Sequence, residues 1–90
     1  MKIVELIFEP DREEHIARHH VSIEEVNQIV FGNPFIRKAR EGRYLIIGQT
    51  EAGRYVAVFV APRGRDIYAL VTAREADDAE RRAYQQHRRR

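Results

Sequence analysis

Apolar positions along this 90-residue chain fall into short blocks whose spacing changes from one block to the next. Lys2–Phe8 (KIVELIF) is a β-prone run that stops at Glu9-Pro10. Pro10 suits the first turn of a helix and Asp11 favours its positive end, so a first helix is expected from Pro10 to about His19. Its only apolar positions are Ile16 and Ala17, which places it on the surface. The second helix is signalled more fully. Ser22-Ile-Glu-Glu25 is a capping box, and Val21 with Val26 forms a hydrophobic staple. Ile23, Val26, Ile29 and Val30 make one apolar stripe that should dock on a sheet, and Gly32 with Asn33-Pro34 stops the helix.

The later blocks are strand-like. Tyr44–Thr50 (YLIIGQT) and Tyr55–Ala61 (YVAVFVA) flank Glu51-Ala52-Gly53-Arg54, a hairpin-length connection. Pro62 to Asp66 reads as a second turn leading into Ile67–Thr72 (IYALVT). Connections this short imply antiparallel neighbours. In the middle strand Val56, Val58 and Val60 point to one face, and Tyr55 and Phe59 to the other, so both faces need covering. Asp77-Asp-Ala-Glu80 opens a last helix to about His87. The order β-α-α-β-β-β-α predicts an α+β fold, a small antiparallel sheet with helices packed against it. Residues 1–87 form a single domain, with Arg88–Arg90 as a basic tail expected to fray.

Composition narrows the function classes. At 43% hydrophobic the chain is too apolar for disorder, yet no apolar run approaches the roughly 20 residues of a membrane span. Nothing at the N-terminus reads as a signal peptide. The absence of cysteine excludes disulfides, Cys-zinc and iron–sulfur sites and thiol nucleophiles. A cytoplasmic protein is the expectation.

The net charge of +2 conceals an uneven distribution. Residues 1–33 carry three basic and seven acidic side chains, whereas residues 34–65 carry Arg37, Lys38, Arg40, Arg43, Arg54, Arg63 and Arg65 against Glu41 and Glu51. Arginine outnumbers lysine fourteen to two, and its planar fork matches phosphate, so the middle segment leans toward a polyanionic partner.

His15 and His19 are four apart and share a helix face, but no further ligand pattern accompanies them. Exposed helix-end imidazoles fit them better, and no metal is expected. There is no GxSxG elbow, P-loop or dinucleotide fingerprint, so no cofactor is expected either. What remains is Arg63, Arg74, Glu80, Tyr84 and His19. Arg74 follows a strand, and Glu80 and Tyr84 share a face of the last helix. Such a group can hold a phosphodiester, stabilise charge on a pentacoordinate phosphorus and move protons without metal. The structural alternative has Glu80 capping its helix, Tyr84 packing on the sheet and the arginines solvated. Tyr44, Tyr55 and Tyr68 can stack on unpaired bases or pack inward, while Phe59 is assigned to the core.

Taken in order, Arg18-His-His-Val-Ser22, Glu24-Glu25, Asn33-Pro34, Arg43, Gly53-Arg54, Val71-Thr-Ala-Arg74 and Glu80-Arg-Arg-Ala-Tyr84 resemble the BrnT family of type II toxins. The resemblance covers nearly the whole chain. It implies a RelE-like fold and a metal-independent endoribonuclease that cleaves mRNA through 2′-hydroxyl attack. It also implies a cognate antitoxin, often with a ribbon-helix-helix DNA-binding domain. Carried over by position, Arg63 and Arg74 would stabilise the phosphorane, and His19, Glu80 and Tyr84 would move protons. Arg37, Lys38, Arg40, Arg43, Arg54 and Arg65 would contact RNA. The sequence departs from the family pattern at His20, where glycine is usual, and at Ala61-Pro62, where Thr-Glu is frequent. The alternative is a non-catalytic module of the same fold that binds an antitoxin-like protein or nucleic acid. A second copy covering the sheet is a further expectation.

Overall fold

The computed structural model describes residues 1–89. Its sheet has five strands: β1 (Glu5–Ile7), β2 (Phe35–Lys38), β3 (Tyr44–Gln49), β4 (Tyr55–Gly64) and β5 (Ile67–Glu75), in the spatial order β1-β5-β4-β3-β2. Three helices accompany it: α1 (Arg12–Ala17), α2 (Ile23–Val30) and α3 (Asp78–Arg88). The α+β class and the arrangement of a small sheet with packed helices stand. No helix among the described residues is long and apolar enough to cross a membrane.

Three expectations are corrected. The sheet is mixed rather than antiparallel, because β1 joins β5 in parallel; α1 and α2 lie between β1 and the later strands and supply a crossover of the required length. β2 was not expected. Its four residues end in Arg37-Lys38, too short and too polar to read as a strand, and charge of this kind suits a sheet edge. The β4–β5 turn is also tighter, since β4 continues through Pro62-Arg63-Gly64 and only Arg65-Asp66 turns the chain. Asp66 takes a left-handed conformation there (φ 62°), and its carbonyl accepts from the amides of Val4 and Glu5, seating β1.

The local signals in the α2 region hold. Ser22 Oγ accepts from the Glu25 amide and Glu25 Oε1 accepts from the Ser22 amide, a reciprocal cap of the kind worth about 1 kcal/mol. Gly48 permits α2 to approach β3, for a Cβ there would lie 3.2 Å from Ile29 side-chain carbons.

Two apolar layers result. On one face Ile46, Val56, Val58, Val60 and Leu70 pack against Ile16, Val21, Val26, Ile29 and Val30 from the α1–α2 region. On the other, Leu45, Ile47 and Ala57 pack with Tyr84 of α3. The chain's own helices therefore pack on both faces, α3 covering part of the second. Tyr44 and Tyr68 meet edge to face beside the first layer, and Tyr55 meets Tyr84 beside the second. Helix α3 extends over Arg88, the first residue of the expected tail; Arg90 lies outside the described residues.

Candidate active site

The face carrying α3 is organised by an irregularity in β5. Phe59 pairs with Thr72 but Val60 pairs with Leu70, which leaves Val71 as an extra residue, a β-bulge. Before the bulge, Leu70 points into the α1–α2 layer; after it, Ala73 does. The one-residue slip thus turns Thr72 and Arg74 onto the opposite face, beside Phe59. With uninterrupted alternation, Arg74 would point into the apolar layer.

Arg74 is then held by the start of α3. Asp77 and Glu80 form a second capping box, with Asp77 Oδ1 accepting from the Glu80 amide at 2.8 Å and Glu80 Oε1 accepting from the Asp77 amide at 2.9 Å. The same carboxylate receives Arg74 bidentately, Nη1 to Oε1 at 2.7 Å and Nη2 to Oε2 at 2.8 Å. Burial pushes the Glu80 carboxyl up, but the Arg74 and Asp77 hydrogen bonds and the Arg74 charge outweigh it and hold the group below its ordinary value. The Glu80 hydrogen bond and charge hold the Arg74 guanidinium above its own. The Glu80 side chain is 6% exposed and that of Arg74 38%, so the pair is anchored on the acid side and open on the guanidinium side. The Arg74 guanidinium carbon sits 5.4 Å from the Phe59 ring centre. Phe59 is half-buried rather than fully internal.

Next to Phe59 the surface is concave and basic. Arg37, Lys38, Arg40 and Arg43, with the single acidic residue Glu41, line a cavity of about 440 Å³ together with Leu45 and Phe59. Arg37 pairs with Leu45 and Leu45 with Phe59, so Arg37, Leu45, Phe59 and Thr72 make one cross-strand row. Arg40 and Arg43 come from the β2–β3 loop, where Glu41 and Gly42 adopt left-handed conformations. Four of the six arginines and lysines expected to touch RNA are thus gathered together.

The remaining residues are placed elsewhere. Arg54 donates through Nη1 to both Glu25 carboxylate oxygens at 3.2 Å and to the His20 carbonyl, tying the β3–β4 turn to the α1–α2 link. Arg65 is exposed in the β4–β5 turn. Arg63 is the bulged residue near the end of β4, six positions or about 20 Å of strand from Ala57, the partner of Arg74, and its guanidinium pairs with Glu9 at 3.3 Å. Tyr84 is buried, and its hydroxyl accepts from Arg88 Nη1 at 3.4 Å. His19 is exposed, its ring 5.6 Å from that of His15. Among the described residues no three His, Asp or Glu side chains converge as metal ligands. His15 and Thr72, absent from the expected site, meet at 3.0 Å between Nε2 and Oγ1. The i, i+4 spacing of His15 and His19 marked that helix face, but nothing local marks the bulge that presents Thr72 to it.

Residues 8–80 match the family model described as the ribonuclease toxin BrnT of type II toxin–antitoxin systems. The chain belongs to the BrnT family. The 1.1 Å crystal structure of the Brucella abortus ribonuclease toxin BrnT superposes with a TM-score of 0.65 at 19% identity, covering 82% of this chain and 97% of that one, which establishes the shared fold. No curated protein matches the chain in sequence. In this BrnT-family chain His20, at the position where glycine is usual, has φ 61°. The backbone is left-handed as glycine would permit, and the Arg54 clamp on the His20 carbonyl accompanies a side chain that tolerates this region less well.

Proposed function

We propose that this BrnT-family chain is the toxin of a type II toxin–antitoxin pair and an endoribonuclease. It would cleave mRNA without metal, through attack of a ribose 2′-hydroxyl on the adjacent phosphate. The observation that carries this reading is the Arg74 guanidinium, fixed by a nearly buried carboxylate beside a half-buried aromatic ring and a four-residue basic rim. A preoriented guanidinium suits the charge that builds on phosphorus in the transition state, because it needs no reorganisation when that charge appears. Arg37, Lys38, Arg40 and Arg43 would hold the flanking phosphates, and Phe59 offers a surface for an unpaired base. Arg63 would reach the backbone further along.

Of the residues expected to move protons, Glu80 is engaged at both oxygens and Tyr84 is packed inside, which supports a role for them in positioning Arg74 and holding α3. His19 keeps an exposed imidazole next to that of His15. The partner would be a cognate antitoxin, with a ribbon-helix-helix DNA-binding domain as the form the family resemblance suggests.

The test is induced expression of the wild type and Arg74→Ala without an antitoxin, following growth and RNA ends. Growth arrest with new 5′-hydroxyl ends, both lost in the variant at equal protein level, is the expected result. Normal growth and intact RNA from soluble wild-type protein would replace the enzyme with a non-catalytic module that binds an antitoxin-like protein or nucleic acid.

A further inference from the structure

The geometry points to His15, held by Thr72, as the base that takes the 2′-hydroxyl proton. This inference rests on the ribonuclease reading above and names a proton acceptor for it. Three placements support it. Helix α1 lies along β5 just beyond the last β1 pair, Ile7 with Ala69, and Arg12 Nη1 donates to the Val71 carbonyl at 3.1 Å, fastening the helix to the bulge itself. One turn on, His15 Nε2 lies 3.0 Å from Thr72 Oγ1. Thr72 in turn sits opposite Phe59 and two positions from Arg74, about 7 Å along the same strand face. The bulge therefore turns Thr72, which holds the imidazole, to the same side of β5 as the anchored guanidinium.

The chemistry favours His15 over its neighbours. Glu80 has three hydrogen bonds on its two carboxylate oxygens and a depressed proton affinity, which makes it a weak base. His19 is exposed and meets His15 ring edge to face, without a hydrogen bond to the sheet comparable to that of His15. When His15 Nε2–H donates to Thr72 Oγ1, the ring is oriented and Nδ1 carries the lone pair. In the step, the 2′-oxygen–phosphorus bond forms and the phosphorus–5′-oxygen bond breaks. Nδ1 accepts the 2′-hydroxyl proton, and a solvent proton completes the 5′-hydroxyl. The products are a 2′,3′-cyclic phosphate and a 5′-hydroxyl end, with no change of oxidation state. Arg74 faces the phosphorus charge throughout.

The experiment is cleavage of a single-stranded RNA by purified wild type, His15→Asn, His15→Ala and His19→Asn, with and without added imidazole. Asparagine retains a polar group that can bond Thr72 but cannot carry the proton. Both His15 variants should lose about 100-fold or more in kcat with little change in KM, and imidazole should restore His15→Ala roughly tenfold. His19→Asn should lose less than either His15 variant. Near-wild-type cleavage by His15→Asn overturns the assignment, as does a loss in His15→Ala that imidazole leaves untouched. A large loss confined to His19→Asn moves the base to His19 and leaves the ribonuclease reading intact. Folded wild type that cleaves no RNA removes that reading, and His15 with it.

Discussion

Replacing Glu80 with glutamine probes the hinge between fold and site. The carboxylate accepts two hydrogen bonds from Arg74 and one from the Asp77 amide. Glutamine is isosteric, and its carbonyl oxygen can keep the Asp77 amide and one Arg74 nitrogen. Its NH₂ then faces the other guanidinium nitrogen, donor against donor. One charge-assisted hydrogen bond is lost, about 1.5–3 kcal/mol, discounted because the Arg74 side chain is 38% exposed and partly screened. The expected destabilisation is about 2 kcal/mol, or a fall in Tm of about 8–16 °C for a domain of this size. The pH dependence has a definite sign. Glu80 titrates lower in the folded chain than in the unfolded one, so its stabilisation is complete above the unfolded carboxylate range and fades as pH falls through the folded value. Urea unfolding of wild type and Glu80→Gln should therefore differ by about 2 kcal/mol near pH 7, and the gap should narrow steadily below about pH 4. Equal stability at neutral pH, or a gap as wide in acid as at neutrality, would refute the reasoning.

Two further substitutions test the α1–α2 link. Arg54→Met leaves Glu25 and the His20 carbonyl without their shared donor and should cost about 1–2 kcal/mol in urea unfolding; a cost near zero would mean the clamp contributes nothing. His20→Gly removes the penalty of a left-handed non-glycine residue, offset in part by a freer unfolded chain, and should raise stability by about 0.5 kcal/mol. A lower Tm for that variant would show that the His20 ring contributes more than its backbone strain costs.

Much of the architecture is legible in local chemistry. The capping boxes at Ser22 and Asp77 and the valine alternation in β4 act over a few residues, so they can be read without knowing what they pack against. Phe59 was harder. Its period-two position places it correctly on the face opposite the valines, but its half exposure depends on α3 covering only part of that face. The strand β2 escaped because four residues ending in two cations carry little β signal, and pairing with β3 supplies what their own pattern lacks.

The candidate site divides along the same line. The amino-acid sequence by itself determined the residue types: an arginine-rich middle segment, Arg74 just past the expected strand Ile67–Thr72, which in the structure runs on to Glu75, and a helix opening on a capping carboxylate. Tertiary structure decided which of them meet. Arg63 and Arg74 stand on adjacent strands, yet the register separates them, and Arg54 is spent on Glu25. The extra residue at Val71 reverses the facing of Thr72 and Arg74 and brings His15 to the site through Thr72. A bulge arises from how two strands pair across the sheet, a non-local balance of hydrogen bonds and packing, and so no pattern within Ile67–Glu75 announces it.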